Sequence, residues 1–150
     1  MCGDAMKFGG PLLLVPLASL FGLRPGMNVA VINSPEHFLE ALLPLPEGAA
    51  LIDASPVGLD VQILFASKKI DLIEKLSAST RGMALTGAIW VCFPSEGDSS
   101  LVVTEDFVRL AALEMGLTDT KKILIDPRWA ALKLQWKNRV PRPEVPEVRA

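Results

Sequence analysis

Three side chains that could act together in catalysis lie close together in the chain: Ser34, Glu36 and His37. A hydroxyl, a carboxylate and an imidazole are the groups of a nucleophile, an acid and a base. A working triad normally draws these groups from separate elements that fix their geometry, whereas these three share one predicted helix start. We therefore interpret them as a capped helix with a surface histidine, and we predict no catalytic residue.

A binding pocket is better predicted from residues that follow strands, because ligands of open α/β sheets bind beyond the carboxyl ends of the strands. The residues that would line it are Asn33, Ser34, Glu36, Asp53 and Ser95. Asp53 is the most suggestive, since a carboxylate at the end of the second strand can bind ribose hydroxyls. The alternative is an aspartate that merely ends its strand.

The turn after the first predicted strand, residues 33–37, lacks the glycines that let a backbone approach a nucleotide closely. Pro35 has no N–H to donate, and Glu36 places a negative charge where a phosphate would sit. These features argue against pyrophosphate binding. S-adenosylmethionine is a cation overall and is not excluded, so we expect no cofactor and keep S-adenosylmethionine as the alternative.

The segment 121–142 carries many basic residues and a single acid, Asp126. With Trp129 and Trp136 nearby it could bind a phosphate and stack a base. We interpret it instead as a solvated basic face, or one that meets an acidic partner. Asp126, Trp129 and Lys133 are the candidates for a partner or ligand contact, and nucleic-acid binding is not expected.

Apolar β-branched runs predict strands at residues 27–33, 50–53, 60–66 and 87–93. Helices are predicted at 15–21, 35–43 and from 104 to 114 or 115, and another follows Ser67 and ends near Gly82. In the helix after Ser67 the apolar stripe is formed by Ile70, Leu72, Ile73 and Leu76. Two strands close in sequence, 121–126 and 130–137, form an antiparallel hairpin.

This alternation predicts an α/β protein with a Rossmann-like open sheet, mostly parallel and closed by the C-terminal antiparallel hairpin. Right-handed crossovers would place helices on both faces and give three layers. We expect one domain over residues 1–140, followed by a disordered proline-rich tail at 141–150.

Composition limits the class of protein. The chain has 150 residues and a net charge of -2, which excludes a globally basic nucleic-acid-binding protein. No apolar run approaches the roughly 18–20 residues that span a bilayer, so no membrane partner is expected. Cys2 and Cys92 form neither a disulfide framework nor a metal motif, so we predict no metal and a cytoplasmic location.

Several segments resemble known families. Residues 23–29 and 87–91 resemble two strands of class I methyltransferases, and the terminal hairpin is similar to their last two strands. The chain from about 8 to 137 resembles a family of small bacterial proteins, domain-of-unknown-function family 3052. The matching pieces are GGPL (9–12), NSPEHF (33–38), LPEG (45–48), TED (104–106) and DPRWAALK (126–133). That resemblance implies a truncated methyltransferase-like fold and no established activity.

We therefore predict a methyltransferase-like protein without the glycine-rich cofactor turn, acting as a non-catalytic binding or interaction module. A homodimer formed through exposed apolar surface is the expected assembly. The alternative is a small-molecule binder, or an enzyme dependent on S-adenosylmethionine or a nucleotide, that uses the carboxyl edge of the sheet.

Overall fold

The computed structural model describes residues 16–52, 58–95 and 101–137. In these ranges the helices are α1 (Leu17–Leu20), α2 (Phe38–Leu42), α3 (Lys69–Arg81) and α4 (Glu105–Glu114). The strands are β1 (Asn28–Ile32), β2 (Ala50–Leu51), β3 (Leu59–Phe65), β4 (Met83–Pro94), β5 (Leu117–Leu124) and β6 (Trp129–Trp136). The predicted tail at 141–150 lies outside the described residues. No helix in the described ranges is long and apolar enough to cross a membrane.

One six-stranded sheet with the order β2-β1-β3-β4-β6-β5 forms the centre of the protein. β1 pairs in parallel with β2 and β3, and β3 pairs in parallel with β4. β6 is antiparallel to both of its neighbours, β4 and β5. The predicted fold class, a mostly parallel open sheet closed by an antiparallel hairpin, is therefore confirmed.

The two faces of the sheet bury two separate apolar clusters, because successive side chains of a strand point to opposite faces. Leu64, Ile89 and Leu132 pack with side chains of α3 and α4 on one face. Ile63 and Trp90 pack with side chains of α1 and α2 on the other. The three-layer arrangement follows from this alternation.

Helix α4 begins and ends where the sequence predicts. The Thr104 side chain accepts a hydrogen bond from the backbone N–H of Phe107 at 3.2 Å, and two acidic residues occupy the first turn. Gly116 then takes a φ of +82°, which favours glycine and turns the chain directly into β5. β5 therefore starts at Leu117, four residues before the predicted strand.

Two predictions about helix α3, its buried stripe and its cap, are wrong in part. Leu72 and Leu76 are fully buried, but Ile70 is 74% exposed and Ile73 is 41% exposed, so the buried stripe is narrower than predicted. Ser67 does not cap the helix, which begins after Lys68 without a side-chain cap. The segment stays extended there because the Ser67 carbonyl accepts the N–H of Val103 at 2.9 Å.

Candidate functional site

The carboxyl ends of β1, β3 and β4 and the β5–β6 turn lie at one edge of the sheet, because β6 runs antiparallel to the other strands. The chain leaves β1 for β2 on one side and returns to β3 on the other, which makes the β1–β3 gap the topological switch point. This edge carries most of the predicted site residues: Asn33, Ser34, Glu36, Ser95, Asp126 and Trp129. Asp53 lies outside the described residues. Lys133 lies elsewhere, in the middle of β6.

The side chain of Asn33 bridges the switch point. Its Nδ2 donates a hydrogen bond of 2.9 Å to the backbone carbonyl of Phe65, the last residue of β3. Asn33 has a φ of 61°, a left-handed conformation that asparagine tolerates better than most residues. The gap in which a nucleotide-binding fold would hold its ligand is therefore crossed by an internal hydrogen bond.

The turn after β1 differs from the predicted helix start. The sequence predicts a helix from Pro35 with Ser34 as its cap, but α2 begins at Phe38 and has no side-chain cap. Its preceding residue, His37, has a φ of 72°. Two left-handed residues, Asn33 and His37, turn the chain so that Phe38 enters the core with 0% exposure. The burial of this aromatic ring sets the start of the helix.

The candidate triad is not assembled. His37 Nδ1 lies 3.0 Å from Glu40 Oε1, and its Nε2 lies 3.6 Å from Glu36 Oε2. The imidazole is half exposed and contacts two carboxylates on the surface, whereas no hydrogen bond joins it to Ser34 within the described residues. This arrangement agrees with the prediction of a surface histidine, although the capped-helix half of that prediction is wrong.

Aromatic rings close the α1–α2 face beneath the edge. Phe38 packs edge-on against Phe21 and Phe65, with ring centroids 6.0 Å and 4.7 Å away. Phe65 in turn packs edge-on against Trp129 at 5.1 Å. Trp90 contacts Phe21 at 5.4 Å and donates its indole N–H to the Phe21 carbonyl at 3.0 Å. Edge-to-face pairs of this kind stabilise a core beyond the area that they bury.

The β5–β6 turn is held by the side chains predicted to bind a ligand or partner. Asp126 Oδ1 accepts the backbone N–H groups of Arg128 at 2.8 Å and Trp129 at 2.9 Å. Ser95 donates its backbone N–H to the Arg128 carbonyl and its hydroxyl to the Pro127 carbonyl. Asp126 thus holds the turn itself, and Ser95 joins the end of β4 to it. The second carboxylate oxygen of Asp126, Oδ2, is buried and has no hydrogen-bond partner among the described residues.

We predict that Asp126→Asn and Asp126→Ala will differ clearly in stability. The asparagine keeps an oxygen that can accept both N–H groups, although its amide nitrogen takes the buried position of Oδ2, so the unfolding free energy should fall by about 1 kcal/mol or less. Alanine loses both hydrogen bonds and should cost about 1–3 kcal/mol. Urea denaturation of the two variants measures the difference. An asparagine variant as unstable as the alanine one would show that the carboxylate charge itself stabilises the turn.

Lys133 lies on the α1–α2 side of β6, with its Nζ 5.9 Å from the centre of the Trp90 ring. It is paired across the hairpin with Lys121. The neighbouring Lys122 points to the opposite face, where its Nζ is 2.7 Å from Glu105 Oε1. The basic residues of the hairpin are therefore divided between the two faces.

An ion-pair network that the sequence analysis did not identify links α4 to β5. Arg109 contacts Glu105, and its Nε lies 3.1 Å from Asp119 Oδ2. The hydrogen bond from Lys122, followed by the contacts with Arg109, lowers the pKa of Glu105, while Asp119 and Glu105 raise the pKa of Arg109. Part of this network could have been predicted, because Glu105 and Arg109 are four residues apart on a helix, the spacing at which opposite charges pair.

Two further features concern possible chemistry. Burial raises the pKa of the Cys92 thiol well above its ordinary value, which suits a buried apolar side chain rather than a nucleophile. Among residues 16–52, 58–95 and 101–137, no group of three His, Cys, Asp or Glu side chains could hold a metal ion.

The fold is similar to solved structures of methyltransferases. A candidate type 11 methyltransferase from Sulfolobus solfataricus aligns with a TM-score of 0.61 and 13% identity, over 92% of this chain and 98% of that one. An O-methyltransferase of neocarzinostatin biosynthesis (NcsB1), in complex with S-adenosylmethionine and 2-hydroxy-5-methyl naphthoic acid, aligns with a TM-score of 0.58 and 13% identity, over 79% of this chain and 50% of that one.

A possible exported protein from Bordetella parapertussis aligns with a TM-score of 0.57 and 14% identity, over 76% of this chain and 63% of that one. The chain thus spans less than two thirds of the length of this protein and of NcsB1. At these identities the similarity concerns the fold alone.

No curated protein matches the sequence. The model of the family described as "Protein of unknown function (DUF3052)" matches residues 48–138, which is more than half of the chain. The match includes the β3–β4 core, helix α4 and the whole β5–β6 hairpin. The chain therefore belongs to the family of proteins of unknown function DUF3052.

Proposed function

We propose that this protein is a non-catalytic binding or interaction module built on a methyltransferase-like sheet. The observation that carries the proposal is the hydrogen bond from Asn33 Nδ2 to the Phe65 carbonyl, which crosses the switch point between β1 and β3. A ligand placed there would have to displace the Asn33 side chain and break this bond, which contributes about 0.5–1.5 kcal/mol.

The local structure after β1 supports the same proposal. Helix α2 has five residues and begins after a left-handed residue without a cap, so few of its N–H groups could converge on a phosphate. Glu36 lies in the turn before this helix and is exposed. The turn therefore offers a negative charge and little of the positive potential that a phosphate requires.

The second candidate function is a small-molecule binder, or an enzyme dependent on S-adenosylmethionine, that uses the same edge. The arrangement of the strands favours it, because open α/β sheets bind ligands beside the switch point. Glu36 could hold a cationic ligand, and Ser34 and Asn33 could provide hydroxyl and amide contacts. On this hypothesis Asp53 would bind the ribose hydroxyls.

Equilibrium dialysis of the full chain against labelled S-adenosylmethionine and labelled ATP separates the two candidates. We expect no saturable binding with a dissociation constant below about 1 mM, an affinity that corresponds to roughly -4 kcal/mol. Asn33→Ala, Glu36→Ala and the control Glu40→Ala should then behave alike. Glu40 is suitable because it is also exposed and contacts the same histidine, His37, but lies within α2.

Saturable binding that weakens at least tenfold in Asn33→Ala or Glu36→Ala, but not in Glu40→Ala, would overturn the proposal in favour of the small-molecule binder. Saturable binding that is unaffected by these substitutions would also overturn it and would place the ligand elsewhere.

The proposal includes a cytoplasmic location and self-association as the first form of interaction. The free thiol of Cys92, buried in β4, is compatible with a reducing compartment. Exposed apolar side chains on the helices, among them Ile70 and Leu110, provide surface for association.

A further inference from the structure

Strand β5 forms one outer edge of the sheet, and among the described residues its only strand partner is β6. It has eight residues, whereas β2, the strand at the opposite edge, has two. An outer strand of this length presents a row of backbone N–H and C=O groups to which a strand of another molecule can add. The residues that shape this edge therefore affect how copies of the chain associate.

β5 contains one residue more than the stretch of β6 that it faces. Asp119 pairs with Leu134 and Lys121 pairs with Lys133, so two steps along β5 correspond to one step along β6. Thr120 is the extra residue, and its hydroxyl donates to the Lys133 carbonyl at 3.4 Å. This arrangement is a β-bulge, which bends the strand, increases its twist and disrupts its row of hydrogen-bonding groups.

The contacts of β5 with the rest of the protein do not require the extra residue. Leu117, Asp119 and Lys122 all point to the side that α4 covers, because Leu117 is buried in the apolar cluster there and the other two contact side chains of α4. Lys121 points to the other side. If Thr120 were absent, ordinary strand alternation would keep each of these side chains on its present side. The bulge is therefore explained by its effect on the outer edge rather than by internal packing.

The charge of Lys121 acts at the same place. A second copy can add to β5 about a two-fold axis, with the two β5 strands antiparallel and the sheet continuous. In a strand without the bulge, the register that opposes Asp119 to Lys122 of the second copy also opposes Lys121 to the same lysine of the second copy. Like charges directly opposite each other destabilise a pair of strands. The Lys121 side chain is exposed, so it lies where the second strand would approach.

We infer that Thr120 and Lys121 close the β5 edge against strand addition by a second copy of this chain. The bulge disrupts the backbone groups that the added strand would bind, and the lysine makes the register with opposite charges repulsive at its centre. Self-association of the natural chain is thereby restricted to its other surfaces. The inference does not rest on the proposed function, since β5 lies at the sheet edge and not beside the β1–β3 gap.

The test removes both features from the full chain by deleting Thr120 and introducing Lys121→Thr, because threonine favours strands and carries no charge. In sedimentation velocity from about 1 to about 200 µM, this double variant should associate about tenfold or more tightly than the unaltered chain. The matched control is Lys68→Thr, which loses the same charge from an exposed residue before α3. It should associate no more than the unaltered chain.

Hydrogen exchange followed by mass spectrometry locates the contact. In the double variant, residues 117–124 should exchange more slowly at high than at low protein concentration, because their outer backbone groups acquire partners. Urea denaturation at low concentration should still show cooperative unfolding, since the remaining side chains of β5 keep their sides. Association of the folded chain is thereby distinguished from aggregation of unfolded chains.

A double variant that associates no more than the unaltered chain would overturn the inference. Association without slower exchange in residues 117–124 would overturn it too. If the deletion prevents folding, Lys121→Thr in the chain that keeps Thr120 provides the test: it should associate about threefold or more tightly than Lys68→Thr, and equal association would overturn the inference. None of these results bears on the proposed function, which fails on saturable binding of S-adenosylmethionine or ATP.

Discussion

Replacing Phe38 with alanine is expected to lower the unfolding free energy by about 3–5 kcal/mol. The Phe38 side chain is completely buried and packs edge-on against Phe21 and Phe65. Alanine would remove both aromatic contacts and leave a cavity between α2 and the sheet, because rigid surroundings collapse only partly. Urea denaturation followed by circular dichroism measures the loss.

The adjacent residue provides the control. Leu39 belongs to the same short helix but is 41% exposed, so Leu39→Ala should cost about 1 kcal/mol or less. Both substitutions introduce alanine into the same turn, so the effect of helix propensity is similar in the two variants. Similar losses in the two variants would mean that Phe38 does not anchor α2 to the sheet.

The Phe38 variant also bears on the closed switch point. Phe38 packs on Phe65, and the Phe65 carbonyl accepts the hydrogen bond from Asn33. The Phe38 ring, which anchors α2, thus also supports Phe65, the residue whose carbonyl binds the Asn33 side chain. The interaction-module proposal and the stability of this core consequently depend on the same small set of contacts.

The sequence predicts the order of elements well where one periodicity dominates. The alternation of Leu132, Leu134 and Trp136 with polar residues correctly indicates a strand, although Lys133 and Gln135 on its other face are half-buried rather than exposed. Thr104 correctly marks the start of α4, because its hydroxyl can accept a backbone N–H within the same turn. Such signals depend on neighbours in sequence, so they can be read without the fold.

The start of α2 could not be predicted in this way. Ser34 and Pro35 are good local signals for a helix start, yet the chain begins the helix at Phe38 because the ring must reach Phe21 and Phe65. Tertiary burial of one aromatic side chain outweighs a local capping preference of about 1 kcal/mol.

The sequence predicted the position of several candidate residues in the fold, but not the groups that their side chains bind. The sequence placed Asn33 and Ser95 beyond the carboxyl ends of parallel strands and Asp126 in the hairpin turn, and the observed strand order brings all three to one edge. It could not show that their hydrogen bonds go to backbone groups of Phe65, Pro127 and Trp129. Those partners lie on other elements or across a turn whose conformation depends on the fold.

Replacing Gly87 with alanine is expected to cost about 2–3 kcal/mol, at the upper end of the range for overpacking. A Cβ at this position would lie 2.7 Å from the Leu59 carbonyl oxygen and 3.1 Å from that of Asp60. Both atoms belong to the backbone of β3, so a side-chain rotation cannot relieve the contact. The strands would have to separate at the point where their register shifts.

That register shift gives Gly87 a role that the sequence did not reveal. Leu59 pairs with Met83 and Val61 with Ala88, so β4 carries extra residues opposite a short stretch of β3. Glycine lets the two backbones approach closely where the irregularity ends. Regular pairing then continues from Val61 to Phe65, the residue that accepts the hydrogen bond from Asn33.

Gly22→Ala is the control for Gly87→Ala, because the two glycines are restricted for different reasons. Gly22 has a φ of +74° but no atom within 4 Å of an added Cβ, so alanine there should cost only the conformational strain of about 1 kcal/mol. Urea denaturation compares the two variants directly. If the Gly87 variant loses no more stability than the Gly22 variant, then β3 and β4 can separate at this point without cost. The pairing register of β3 and β4 would then not be fixed by close backbone packing at Gly87.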